Sequence, residues 1–252
     1  MEMSRVRPSA AFGMLLAALL VSWTVVIAFP GAAPQEDELL RQLRQLPTST
    51  LADAVDEVVG RPGFMSSALR PVSRTPRMVG RAKTVLLGPI DEDHPEKAIG
   101  GRYTVETIDT SGPGDVMIIV NNNTEVAAFG GLMAAATRMR GLEGIVIEGG
   151  VRDTEEIEAL GLPVFARSVT PATGVGRQTS ISRSVPVLCG GVIVHPGDYI
   201  VADRDGVVRV PAGQIEPVIR RALEMEDTEK KMLPVLRETG SLAEVIRRFR
   251  RI

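Results

Sequence analysis

The chain has 252 residues, 29 Lys and Arg against 31 Asp and Glu, a formal net charge of −2 and a single cysteine. That balance gives no electrostatic footing for nucleic acid, so none is expected as a partner. One cysteine excludes an internal disulfide, and the length beyond the amino terminus suits one sizeable domain with its own core.

Residues 1–34 differ in kind from the rest. Arg5 and Arg7 precede an uncharged run over residues 8–35 with an apolar centre at 10–29. A basic segment followed by an apolar one is the order of an export signal. The apolar stretch is about long enough to span a bilayer, so a cleaved signal peptide and an uncleaved anchor through residues 10–29 both fit. Cleavage fits after Ala28, with Val26 at the −3 position, or after Ala33, which satisfies the small-residue rule but leaves Pro34 awkwardly next. Either case leaves the arginines in the cytoplasm and the folded part outside it, periplasmic or held at the outer face of the inner membrane. A buried cytosolic helix is the bland alternative. The chain then divides into 1–34 (signal or anchor), 35–214 (an α/β domain) and 215–252 (a charged helical segment).

After a short linker, Leu39, Leu40, Leu43 and Leu46 fall at helical spacing. Ser49 or Thr50 is placed to cap a second helix with Leu51, Ala54, Val55 and Val58 on its apolar face. Proline and glycine punctuate an irregular connection over residues 61–77. Strands are expected at 79–87 and 116–120, and a helix at 126–139 whose glycines and alanines allow close approach to a neighbour. Ile145-Val146-Ile147 reads as a strand covered on both faces. Thr154 is positioned to cap a short helix ending at Gly161. A strand at 163–166 follows, then a polar loop or weak hairpin at 174–184. Short β segments at 185–188, 192–194, 199–201 and 207–210 suggest antiparallel pairing beside a βαβ core. The end, 215–251, is helical with interruptions at Pro234 and Gly240. No internal repeat occurs.

The densest chemistry lies in residues 129–153, FGGLMAAATRMRGLEGIVIEGGVRD. A buried strand ends at Gly149-Gly150, read as a turn that only glycine makes without steric cost. It delivers Arg152 and Asp153 to the strand's carboxyl end, where open α/β sheets place ligands. An Arg grips a carboxylate with two parallel hydrogen bonds, and an Asp holds a hard divalent cation. An ion pair that merely closes a turn is the competing interpretation.

This segment resembles the RraA-like family, which includes divalent-metal 4-hydroxy-4-methyl-2-oxoglutarate aldolases that also decarboxylate oxaloacetate. The resemblance covers roughly residues 46–211. It includes Thr50-Leu51-Ala52-Asp53-Ala54, Val79-Gly80-Arg81-Ala82-Lys83-Thr84-Val85 and Pro113-Gly114-Asp115-Val116. After the central segment come Cys189-Gly190-Gly191-Val192, Pro196-Gly197-Asp198 and Ala202-Asp203-Arg204-Asp205-Gly206-Val207. It implies a single α/β domain of the swivelling β/β/α architecture, assembled as a homotrimer or a multiple of it. It also implies a metal, Mg2+ or Mn2+, on Asp153, with Arg152 on the substrate carboxylate or enolate oxygen. Gly130, Gly131, Leu132 and Met133 match the family's substrate-binding segment. Many relatives carry an acidic residue where this chain has Gly131, which leaves backbone N–H groups as the contacts there. Glu148 stands where relatives often have Asp and is expected to be solvated or to act behind the site.

The expected function is therefore a metal-dependent carbon–carbon lyase acting on a small 2-keto dicarboxylic acid and releasing pyruvate. The alternative is a non-catalytic regulator, like the family's inhibitors of ribonuclease E, or a small-acid binder. Export speaks against the former, whose partner is cytoplasmic. Lys83 raises a Schiff-base mechanism, against the plainer reading of an exposed strand lysine. His94 in an Asp-rich loop and His195 before Pro196 read as turn residues without a triad partner. Cys189, in an apolar strand, reads as a packed small hydrophobe.

Overall fold

The computed structural model describes residues 38–74 and 76–250. The expected export segment, 1–34, lies outside the described residues. Among the described residues no helix is long and apolar enough to cross a membrane.

The sheet forms around two strands with no polar alternation, β3 (Asp115–Val120) and β5 (Gly144–Val151). Ile118, Ile119, Ile145 and Ile147 are fully buried, which marks strands covered on both faces. β2 (Met78–Pro89) lies parallel to β3, and β6 (Val164–Val169) parallel to β5. The sheet therefore has a parallel core in the order β2-β3-β5-β6. β1 (Arg70–Pro71) adds antiparallel to β6, and β4 (Ala127–Phe129) adds parallel to the end of β5. β2 is long enough to serve two partners. Its first residues pair with β10 (Tyr199–Asp203), which turns back into β11 (Gly206–Val210). Its last residues pair antiparallel with β7 (Gln178–Arg183) across an irregularity at Leu86/Leu87. β8 (Val187–Cys189) and β9 (Val192–Val194) form a separate two-stranded sheet.

Helices cover the sheet in two groups. α1 (Glu38–Leu43), α2 (Thr48–Val59) and α6 (Ile215–Thr239) share a core with β10 and β11. Ile215, Val218, Ile219, Ala222 and Met225 of α6 are buried in that core, so the first half of α6 packs like any core helix. α3 (Arg102–Asp109), α4 (Gly131–Arg140) and α5 (Thr154–Ala159) pack on one face of β3 and β5, whose other face is covered by β8 and β9. α7 (Leu242–Phe249) follows Gly240, and Ser241 caps it by accepting the Glu244 N–H.

Several local expectations need correction. α2 starts at Thr48, so Ser49 and Thr50 lie inside it, and Pro47 sits at the cap position. The missing cap comes from across the fold: Asp203 accepts the Thr48 N–H (3.1 Å) and hydroxyl (2.6 Å). The helix expected over 126–139 begins at Gly131, because Ala127–Phe129 is drawn into the sheet beside β5. Part of the 174–184 loop is β7, a polar strand held by β2. α6 runs through Pro234 and stops at Gly240, whose left-handed φ of 60° ends it.

Candidate functional site

The parallel strands end on one side of the sheet, where Val151 of β5 stands level with Val169 of β6. Gly149 and Gly150 are not a turn: both lie inside β5, outside the left-handed region. Glycine is needed there for space. A Cβ on Gly149 would lie 3.1 Å from the Asn123 carbonyl oxygen, and one on Gly150 would lie 2.8 Å from that of Val126. Their absence lets the 121–126 segment and β4 close onto the strand end.

The conformational break comes three residues past Gly150, at Asp153, with φ 58° and ψ 41°. A left-handed residue other than glycine costs about 1–2 kcal/mol, least for Asp and Asn, and persists where the surroundings enforce it. Asp153, not Thr154, occupies the cap position of α5. Its carboxylate does not cap that helix. It turns instead to the start of α4, where Oδ2 accepts the Gly131 N–H at 2.9 Å, and Arg152 Nε stands 3.3 Å from the same oxygen. The Gly131 N–H expected to contact substrate is therefore given to Asp153. Oδ1 makes no hydrogen bond among the described residues and lies on a half-exposed side chain.

Gly130 makes this approach possible. Its φ of −157° is ordinary extended backbone, yet a Cβ there would lie 2.6 Å from Asp153 Oδ2 and 3.0 Å from Arg152 Nε. Gly130, Gly131, Arg152 and Asp153 thus converge at the N-terminus of α4, where aligned peptide dipoles favour anions. Leu132, 88 % exposed, points away from the protein's own core, and Met133 packs partly against it.

The other sequence candidates separate from this point. Lys83 Nζ stands 3.5 Å from Asp115 Oδ1, at the amino end of β3. By register Lys83 is level with Met117 and Ile145, six residues before Val151, or about 20 Å along the strand. His94 sits in an exposed turn 3.4 Å from Asp91. His195 flanks a buried pair in which Arg209 Nε donates to Asp198 Oδ2 at 2.7 Å. Glu148 is not solvated: it is buried, accepts the Gly190 N–H at 2.6 Å and pairs with Arg167. Burial, with the Glu148 charge beside it, pushes the Cys189 thiol well above its usual range, so it stays protonated.

A polar recess adjoins the ends of β2 and β3. It has a volume of about 390 Å³ and is lined by Asn121, Asn122, Asn123, Thr124, Arg177 and Gln178 among others. Asn121 is buried and donates to Gln178 Oε1 at 2.8 Å, which fixes the recess wall. Sequence reasoning passed over it, and the run Asn121-Asn122-Asn123 after a buried strand was the available signal. Among the described residues no group of three or more His, Cys, Asp or Glu side chains could hold a metal.

The family model described as RraA-like, Aldolase/RraA, matches residues 48–209. A Halalkalibacterium halodurans protein provisionally named 4-hydroxy-4-methyl-2-oxoglutarate aldolase is 32% identical over 190 residues, 74% of this chain and 83% of that protein. The Thermus thermophilus protein named 4-hydroxy-4-methyl-2-oxoglutarate aldolase is 30% identical over 107 residues, 42% of this chain and 65% of that protein. Among solved structures, Streptomyces coelicolor RraAS2 superposes with a TM-score of 0.68 at 27% identity, covering 80% of this chain and 98% of that one. It is described as an unusual member of the RNase ES inhibitor RraA protein family.

Proposed function

The chain belongs to the RraA-like family, and on that premise we propose that it is a divalent-metal-dependent carbon–carbon lyase. Its substrate is a small 2-keto dicarboxylic acid, cleaved by 4-hydroxy-4-methyl-2-oxoglutarate aldol scission, oxaloacetate decarboxylation or both, with release of pyruvate. The observation that carries this is the left-handed Asp153, whose Oδ2 is held by the Gly131 N–H and faces Arg152 while Oδ1 makes no hydrogen bond among the described residues. Its carboxylate fits Mg2+ or Mn2+, which take hard oxygen ligands, and Mg2+ in particular commonly keeps several waters beside one or two carboxylates. When bound, the cation would supply Lewis-acid polarisation of the keto acid.

The remaining work falls to the chain itself. Arg152 has a planar fork suited to a substrate carboxylate, and it places fixed positive charge where an enolate oxygen develops. The N-terminus of α4 adds an oriented dipole that favours the same negative charge. Both cleavages leave an electron pair on the carbon next to the keto group, so one arrangement serves either. Lys83, paired with Asp115 at the far end of the strands, is left out of the reaction.

The test is pyruvate release from oxaloacetate, and from the aldol substrate, by the purified domain with Mg2+ or Mn2+. Activity abolished by chelation and restored by metal is expected. A protein that binds a ribonuclease but turns over neither acid would favour the regulatory reading that the Streptomyces structure's description suggests. A homotrimer belongs to the same proposal: Leu132 and Met139, both exposed on α4, offer apolar surface that another copy of the chain would cover. Export belongs to the same proposal: alkaline phosphatase fused after Gln35 should be active in a bacterial host, and an inactive but expressed fusion would remove it.

A further inference from the structure

Asp153 has an acidic neighbour that the reaction just described leaves unused. Glu156 is the third residue of α5, a position from which Glu ordinarily reaches back to the N–H of the cap residue. No such bond forms here, and among the described residues its carboxylate has no ion-pair partner. The side chain lies instead over the first residue of α4. A Cβ built on Gly131 would overlap the Glu156 carboxylate and would lie 3.4 Å from Asp153 Cβ.

This accounts for a glycine that backbone geometry does not require. Gly131 has no positive φ, and glycine within a helix costs up to about 1 kcal/mol against alanine. What its missing side chain provides is room for Glu156. Asp153 Oδ2 accepts the Gly131 N–H and Glu156 lies over the same residue, so two exposed carboxylates adjoin the N-terminus of α4, where a cation between them would offset their repulsion.

We propose that Glu156 is a second carboxylate of the Asp153 cation site, admitted by the absence of a side chain at Gly131. The inference rests on the reading of Asp153 as a metal ligand and adds a residue from the next helix. Asp153 comes from the left-handed turn, Glu156 from one helical turn further on, and α4 supplies the floor. Charge count at such a site sets affinity for hard cations, so loss of one carboxylate should register in binding without any reaction.

Calorimetric titration of the full chain with Mn2+ alone tests this, with circular dichroism melting of each variant to confirm folding. Glu156→Gln should weaken Mn2+ binding roughly tenfold or more. Gly131→Ala should do the same with Glu156 still present, because the methyl group occupies the carboxylate's place. The double variant should be no weaker than either single one. Asp153→Asn should abolish binding. If Asp153→Asn abolishes binding and Glu156→Gln leaves it unchanged, Glu156 is excluded while the proposed function stands. If the wild type takes up no Mn2+, or Asp153→Asn binds as well as wild type, the metal reading beneath both fails.

Discussion

Two Arg–Asp pairs in this chain use the same chemical groups to opposite ends. Arg209 and Asp198 are both about 5 % exposed, and Asp198 also accepts the backbone N–H of His195 (2.8 Å) and Ala212 (3.0 Å). Every charge there is spent. Arg152 and Asp153 are 42 % and 35 % exposed and 3.3 Å apart, and one carboxylate oxygen makes no hydrogen bond among the described residues. A buried pair whose carboxylate is engaged at both oxygens holds loops in place. A half-exposed pair on a strained residue keeps a valence for something else.

The widest expected separation between the pairs is in turnover. Asp153→Asn preserves an acceptor for the Gly131 N–H but removes the charge a cation needs. Pyruvate release should fall at least about a hundredfold, a loss on the scale of removing one preorganised electrostatic contact, with the melting temperature nearly unchanged. Unaltered metal-dependent turnover would dissolve the contrast.

Arg209→Ala should behave in reverse. It strands the Asp198 carboxylate in the interior, a change that costs about 3–5 kcal/mol, while activity per folded molecule is retained. Chemical denaturation gives the stability, and a loss below about 1 kcal/mol would mean that the buried pair is as dispensable as a surface one.

Asp203 sharpens the contrast as a third carboxylate, one that caps a helix. Burial alone would raise its pKa. The Thr48 hydroxyl, the Asp205 and Thr48 N–H groups and Arg77 outweigh that and hold it below the usual 3.8. Its contribution to stability is therefore complete above the unfolded value and is lost as pH falls through the folded one, in a window below about pH 4. Asp203→Ala should cost about 1 kcal/mol at neutral pH, as loss of a helix cap does, and flatten the acid limb of a Tm–pH profile. An unchanged acid limb would show that this carboxylate contributes nothing through its charge.

The smallest effect concerns Cys189. Buried and held protonated, it should react with iodoacetamide only on unfolding, and alkylation of the native protein at neutral pH would place it in an accessible environment instead.

The parallel core was legible because Ile118, Ile119, Ile145 and Ile147 sit in runs without polar alternation, and such runs need cover on both faces. The site's glycines were legible as a pattern and misread as to cause. Gly149 and Gly150 looked like a turn, whereas the turn belongs to Asp153 and the glycines serve close approach. β7 was illegible because Gln178 to Arg183 is polar and becomes a strand only by pairing with the last residues of β2. Glu148 read as either solvated or acting behind the site, because the groups that bury it, Arg167 and the Gly190 N–H, are 19 and 42 residues away.

What the sequence determined alone was local: where apolar runs make strands, where helical spacing sets a buried face, and that an arginine and an aspartate close the central strand. Periodicity and steric preference act over a few residues, so they survive without the fold. The tertiary structure decided the use of each charged group. It capped α2 with Asp203, consumed Asp198 in the interior, gave the Gly131 N–H to Asp153 and laid Glu156 over Gly131. Electrostatic roles depend on which groups the folded chain brings within a few ångströms and how much water it leaves beside them, and neither quantity is written at any single position.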